Sequence, residues 1–305
     1  AARVWTVTRG AQHVSSGHTD LVGSTLWGLG RVIGQFEMPG CHGGLIDIDD
    51  SPQNIACVAD EILGSYGEDQ VAFRKGDRWI LRMKRTPLQS LSMPPLREDA
   101  AYLISGGLGA LGLVTARWMV EHGARHLVLI GRSGLPDRSE WSQSDDPRVR
   151  AVMALESAGA SVEVYPCDVA DADAVKYLVS KRQSTNRPPI KGIIHAAGTS
   201  VPQLAVDMTE TDFRSIVRPK AIGAWNLDRT FATGLDFFIM YSSVASLIVS
   251  PGQANYAAGN AFLDALAYER RERGEHGLSV NWGPWGDVGM ATQLDLMSFF
   301  ERRGL

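Results

Sequence analysis

Tyr256 and Asn260 stand four residues apart in Gln253-Ala254-Asn255-Tyr256-Ala257-Ala258-Gly259-Asn260, and Ser243 follows the apolar run Leu235–Ser242. Residues at that spacing share one face of a helix. A helix starting near Gly252 therefore lets the phenol and the amide point into one pocket. A serine at the carboxyl end of a strand faces the crevice where open α/β sheets bind ligands. A phenol with a hydroxyl beside it can protonate the oxygen of a ketone that is taking up hydride. The same spacing also suits an ordinary packed helix face, so the surrounding elements decide between the two.

Those elements alternate short apolar runs with helix-period segments, the pattern of βα units and a parallel sheet. Strands are expected at Ala101–Ser105, His126–Gly131, Ser161–Pro166, Ile190–His195, Leu235–Tyr241 and Leu278–Trp282. Helices are expected between them at Ala110–His122, Pro147–Ala158, Asp171–Ser180, Thr209–Thr230 and Gly252–Arg273. Residues 1–83 repeat this grammar on a smaller scale, with strands at Val4–Val7, Gly44–Ile48 and Val71–Arg74 and a closing strand at Trp79–Arg82. Their helices are expected at Asp20–Gly34 and Pro52–Leu63. Pro87, Pro94 and Pro95 keep Lys84–Arg97 from regular structure, which makes that stretch the expected linker. The expected fold class is α/β with two Rossmann-like units: a smaller, truncated structural subdomain over 1–96 and a doubly wound parallel-sheet subdomain over 97–305.

The strand Ala101–Ser105 runs into Gly106-Gly107-Leu108-Gly109-Ala110-Leu111-Gly112 and then into a helix. Glycines there let backbone N–H groups approach a pyrophosphate at the helix N-terminus, where the dipole favours negative charge. Ser105, Gly106, Gly107, Leu108, Gly109 and Gly112 are therefore cofactor candidates. The second strand ends at Gly131-Arg132-Ser133, where an NAD-binding chain would carry an acidic residue. Arg132 instead offers a planar partner for a 2′-phosphate, with Ser133 beside it, and this selects NADPH. At the third strand end Asp168 can accept from the adenine amine, with Val169 next to it. Cys167 there is read as a packed thiol. Ala196, Ala197 and Gly198, after the fourth strand, are small enough for a ribose or nicotinamide to lie on the backbone, and His195 before them is read as a fixed structural histidine. Gly28-Leu29-Gly30-Arg31-Val32-Ile33-Gly34 resembles a phosphate loop only superficially. It falls within an expected helix instead of after a strand, and helix packing accounts for it better.

With 305 residues the chain favours two units, and 44% apolar residues are enough for real cores. A net charge of −4 gives no electrostatic case for nucleic acid or an anionic membrane. No apolar run reaches the roughly 20 residues of a membrane span. The start, Ala1-Ala2-Arg3-Val4, has no signal-peptide pattern and no initiator Met, as in an excised piece. Three scattered cysteines argue against a disulfide framework and fit a reducing cytoplasm. The seven histidines show no metal-ligand spacing, so no metal is expected.

Taken in order, Ser105-Gly106-Gly107-Leu108-Gly109-Ala110-Leu111-Gly112, Gly131-Arg132-Ser133-Gly134, Cys167-Asp168-Val169, His195-Ala196-Ala197-Gly198, Arg218-Pro219-Lys220, Tyr241-Ser242-Ser243, Tyr256 with Asn260, and Asn281-Trp282-Gly283-Pro284-Trp285-Gly286 carry a resemblance over essentially the whole chain. The chain resembles the ketoreductase domain of modular type I polyketide synthases, a branch of the short-chain dehydrogenases/reductases. Thr8-Arg9-Gly10-Ala11 and Leu26-Trp27-Gly28-Leu29-Gly30-Arg31 resemble that family's non-catalytic structural subdomain. Ordinary short-chain reductases have lysine four residues after the tyrosine. Here Asn260 stands there and the lysine comes earlier, at Lys220, an exchange that polyketide ketoreductases share. Ala110 departs from the glycine of many relatives, which is acceptable where φ stays negative.

The resemblance implies catalytic roles for Tyr256, Ser243, Lys220 and Asn260, with Lys220 and Tyr256 also reaching the NADPH. Tyr256 would be the acid, its phenol (pKa about 10 when free) made more acidic by the Lys220 ammonium. Asn260 would hold that ammonium or a relay water, and Ser243 would donate to the ketone oxygen. The implied substrate is a β-ketoacyl thioester on an acyl carrier protein, which becomes a β-hydroxyacyl thioester, and other synthase domains are implied partners. The residues from Gly286 to Leu305 fall where the family has a lid. Ser200-Val201-Pro202 replaces the Leu-Asp-Asp typical of D-producing relatives, and Ile248 stands where L-producing ones usually have tryptophan; the absence of Leu-Asp-Asp favours the L product. Two rival functions stay open at this point: a structural or docking domain that binds NADPH without turnover, and a reductase that also epimerises the α-substituent.

Overall fold

The computed structural model describes residues 2–14, 17–64, 66–87 and 96–285. The elements of its first part are β1 (Val4–Arg9), α1 (Leu21–Val32), β2 (His42–Ile48), α2 (Asn54–Leu63), β3 (Gln70–Arg74) and β4 (Asp77–Ile80). There follow β5 (Ala101–Ser105), α3 (Ala110–Glu121), β6 (His126–Gly131), α4 (Pro147–Ser157), β7 (Ser161–Pro166), α5 (Ala172–Gln183), β8 (Ile190–His195), α6 (Glu210–Thr230), β9 (Phe237–Ser243), α7 (Ala254–Glu272) and β10 (Leu278–Trp282). They pack into two compact units. One comprises the described residues of Ala1–Ser92, Ser200–Val217 and Ser242–Gly274, and the other those of Met93–Thr199, Arg218–Tyr241 and Glu275–Leu305.

The first unit is built on a sheet of order β1-β2-β3-β4. Its first three strands are parallel and β4 returns antiparallel to β3. The closing strand begins at Asp77, two residues before the expected Trp79. Lys75 and Gly76 have φ of +53° and +89° and turn the chain directly after Arg74, the backbone of a two-residue hairpin. Asp20 caps α1 by accepting from the N–H of Val22 at 3.0 Å, satisfying one of the orphan donors of the first turn. Both α1 and α7 belong to this unit, and Val32, Val249, Ala254 and Ala257 form one of its buried apolar clusters.

In the second unit the sheet order is β10-β9-β8-β5-β6-β7. From β5 the chain winds outward through β6 and β7, then crosses back to β8 on the other side of β5. All the pairings from β7 across to β9 are parallel. This is the doubly wound Rossmann order, whose ligand crevice opens at the carboxyl ends of the strands beside the crossover. Every residue of β5 is buried, as a central parallel strand covered on both faces requires. Ile104, Leu127, Leu129, Val149 and Val152 lie in the main core between this sheet and its helices. Asp146, with Pro147 at the first helical position, starts α4, and Asp171 caps α5.

The bounds of β5, β6, β7, β8 and β10 are those expected, while β9 starts and ends two residues later. That shift leaves Ser243 as the last residue of the strand. The described part of Lys84–Arg97 is neither helix nor strand. The segment 286–305, expected as a lid, lies outside the described residues. No described helix is long and apolar enough to cross a membrane.

Candidate active site

In the first unit α7 begins at Ala254, so Tyr256 and Asn260 fall one turn apart near its start, 9% and 0% exposed. Asn260 donates from Nδ2 to the backbone carbonyl of Tyr256 at 2.9 Å. Ser242 donates to the carbonyl of Asn260 at 3.3 Å, which fastens the end of β9 to the helix. Next to it, Ser243 Oγ accepts from the N–H of Ala245 at 3.2 Å. Burial pushes the phenol of Tyr256 above its ordinary value, and hydrogen bonds with Ser243 and Asn260 pull it back. Ser243, Tyr256 and Asn260 are thus brought together.

The first ten residues of α7, 254–263, are all buried. Small side chains make this possible. A Cβ at Gly28 of α1 would stand 2.3 Å from the carbonyl oxygen of Ala257, so the two helices meet backbone to backbone. Gly30 lies against Leu45 and Gly34 against the ring of His42 just as closely. Packing, as expected, accounts for the glycines of the false phosphate loop.

The second unit carries the glycine turn between β5 and α3. Gly106 has φ +69°, and a Cβ there would lie 2.9 Å from Ala197, so only glycine suits both the backbone and the space. A Cβ at Gly112 would meet the carbonyl oxygen of Gly106 at 2.3 Å, which explains the tight entry into α3. Gly109 is the N-cap of α3, and no side chain caps that helix. Its first-turn N–H groups therefore have no side-chain acceptor and suit an anion. Ala110 keeps a negative φ, so its departure from glycine costs nothing there. Gly107 and Leu108 complete the turn, Gly107 donating to the carbonyl of Ile130 at 3.2 Å.

The parallel sheet puts the other cofactor candidates on the same carboxyl edge. Arg132 and Ser133 are exposed after β6, and Ser133 Oγ accepts from Arg148 at 3.3 Å. Asp168 accepts from the N–H of Ala170 at 3.0 Å through one oxygen, and Val169 is buried. Cys167 is a buried thiol that burial and then Asp168 push up to about 11, in keeping with a packing role. Ala196 donates to the carbonyl of Ser105 at 3.0 Å. Gly198 faces Lys220, whose Cε would be 2.9 Å from a Cβ at that position. Lys220 is 3% exposed and its ammonium donates to the carbonyl of Tyr241 at 3.0 Å.

Ser105 does not turn its hydroxyl toward the glycine cradle. It lies 2.7 Å from Nδ1 of His195, whose Nε2 is 3.0 Å from the carbonyl of Lys220. A carbonyl only accepts, so Nε2 carries the proton and Nδ1 accepts from Ser105. Burial, then the positive charge of Lys220, pulls the imidazole down to about 3. His195 is a neutral tie from β5 to α6. Sequence reading did not find its two partners, nor the contact of 2.8 Å between the hydroxyls of Tyr241 and Thr115, because each joins elements distant in the chain.

Residues 100–287 match the family model described as "KR domain". The chain belongs to the ketoreductase domains of polyketide synthases. Residues 1–83 match a second model, the Rossmann fold domain of the polyketide synthase extender module SpnB. The chain is 42% identical over 316 residues to the 5-methyl-1-naphthoate synthase of Streptomyces sahachiroi, covering 99% of this chain and 17% of that protein. It is 41% identical to a 6-methylsalicylic acid synthase of Aspergillus niger, covering 89% of this chain and 15% of the other. Among solved structures it resembles the ketoreductase from the first module of phoslactomycin biosynthesis in Streptomyces sp. HK803. There the TM-score is 0.88 at 33% identity, over 99% of this chain and 69% of that one. The ketoreductase chain thus spans about a sixth of the curated synthases it matches. Membership makes it an oxidoreductase domain of a family that binds a nicotinamide cofactor, and implies ketoreduction in polyketide biosynthesis.

Proposed function

We propose that this domain uses NADPH to reduce the β-carbonyl of a β-ketoacyl thioester, carried by an acyl carrier protein, to a β-hydroxyacyl thioester. The observation that carries the reading is the buried phenol of Tyr256 hydrogen-bonded to Ser243 at the end of β9. A phenol so placed holds its proton at neutral pH and can release it to an oxygen gaining charge. Asn260 Oδ1 is buried and meets no donor among the described residues, which suits an ammonium or a relay water. Lys220 is assigned that ammonium from its place in the sequence.

The glycine cradle and the uncapped N-terminus of α3 fit a dinucleotide pyrophosphate. Gly106 through Gly109 and Gly112 would line the pyrophosphate, with Ser105 behind them tied to His195; Arg132 and Ser133 would line the 2′-phosphate, Asp168 and Val169 the adenine, and Ala196, Ala197 and Gly198 the nicotinamide end. A nicotinamide held there would supply the hydride for the carbonyl carbon. Ser243 Oγ donates to the carbonyl oxygen and orients it, and Tyr256 Oη delivers the proton. We also assign residues 1–96 to a structural subdomain and 97–305 to the reductase with its lid. The L configuration is proposed for the product, and the cytoplasm for its site of action.

The test is NADPH consumption with a diketide β-ketoacyl thioester or trans-1-decalone, followed by chiral analysis of the alcohol. Tyr256→Phe should lower kcat by about 10²–10⁴ while NADPH binding is retained. Equal turnover by the variant and the wild type would remove the reading.

A further inference from the structure

Glu37 ends the π-helical turn Ile33–Glu37 that continues α1. Its two carboxylate oxygens accept from backbone groups far away in the chain: Oε1 from the N–H of Gly252 at 2.9 Å and Oε2 from the N–H of Ala205 at 2.7 Å. The two loops are also joined directly, Gln203 donating its N–H to the carbonyl of Gly252 at 2.8 Å. Six residues before Glu37, the guanidinium of Arg31 is 4% exposed. It donates to the carbonyl of Ser246 at 2.6 Å and to Gln70 at 2.7 Å.

Ser246 and Gly252 both lie on the stretch 244–253, which with Ala254 and Asn255 at the start of α7 is all the chain that separates Ser243 from Tyr256. That stretch has one short 3₁₀ turn, Val244–Ser246, and Gly252 sits at φ +75°. A loop with so little structure of its own does not fix the distance between its ends. Charge-assisted hydrogen bonds to its backbone do, because each anchors the main chain and not a movable side chain. Arg31 grips it near Ser243, and Glu37 grips it near Tyr256.

We infer that Glu37, with Arg31, is a positioning residue of the reductase, setting the placement of Ser243 relative to Tyr256 by clamping the loop between them. Neither residue touches the reacting atoms. The inference rests on the reductase reading above for its effect on turnover. It concerns how the acid pair is held, and not which ketone is reduced.

The experiment uses the full chain with Glu37→Gln and Glu37→Ala. Glutamine keeps the shape but has one acceptor oxygen, so it can satisfy only one of the two N–H groups. Expected is a graded loss of kcat, about tenfold for Glu37→Gln and up to about a hundredfold for Glu37→Ala, as for a small misplacement of reacting groups. NADPH affinity should stay within about twofold, because Glu37 accepts from Gly252 and Ala205, neither of which is a cofactor candidate. A merely structural role is separated by a cycle with Ser243→Ala: if Glu37 acts through Ser243, that substitution costs much less in the Glu37→Ala background. Unchanged kcat in both variants, or effects of Glu37 and Ser243 that multiply independently, would overturn the clamp. A wild type that leaves NADPH unconsumed would instead overturn the reductase reading. The clamp would then be judged by ultraviolet titration of the Tyr256 phenol, resolved by subtracting Tyr256→Phe. That titration should move upward in Glu37→Ala, and an unmoved titration would refute it.

Discussion

His195 donates from Nε2 to the carbonyl of Lys220, 3.0 Å away, while its Nδ1 accepts from Ser105. Both ring nitrogens are occupied inside the protein, and burial holds the ring neutral, pulled down to about 3. The unfolded chain binds a proton at this residue below its ordinary value of about 6.5, and the folded chain does not. Stability linked to His195 is therefore fully present above about pH 6.5. Falling pH removes it, by about 1.4 kcal/mol per pH unit, until the folded value near 3 is reached. An NMR titration should show the His195 ring carbons unmoved between pH 8 and about pH 4. A midpoint near the ordinary value would refute the assignment.

Gly28→Ala places a methyl group 2.3 Å from the carbonyl oxygen of Ala257. Backbone cannot yield as a side-chain tip can, so α1 and α7 must separate. Urea unfolding should show a loss of about 1–3 kcal/mol. Because α7 carries Tyr256, kcat should fall with stability. Gly40→Ala, where a Cβ meets nothing within 4 Å, is the matched control and should leave both unchanged.

Arg132→Ala tests the cofactor assignment. Arg132 is exposed at the end of β6, with no aspartate or glutamate in the Gly131–Gly134 turn. Loss of a charged contact to the 2′-phosphate should raise the Kd for NADPH about ten- to a hundredfold and leave NADH binding as it was. Equal weakening of both cofactors would mean that Arg132 does not read the 2′-phosphate.

The central parallel strands were legible in the sequence because β5 and β6 are short, mostly apolar runs ending in a turn, and β5 is buried on both faces as such a run implies. β9 was misplaced by two residues. Leu235 and Asp236 look like its start, yet pairing with β8 begins at Phe237, opposite Gly192. The helical face of Tyr256 and Asn260 was visible because helix spacing is local. Glu37 and Arg31 were not: their partners lie 168 and 215 positions away, and neither residue type nor neighbourhood announces such a contact. His195 was readable as structural, but its ties to Ser105 and Lys220 were not, since they depend on strand order.

The backbone contact of Gly28 with Ala257 bears on how this reductase could be transplanted. A chimera joined at the proline-rich stretch 84–97 would import α7 without its native α1. The incoming Ala257 would then have to meet whatever residue the recipient carries at the position of Gly28, and anything larger than hydrogen there obstructs docking. Splice junctions placed ahead of β1 keep the helix pair from one parent.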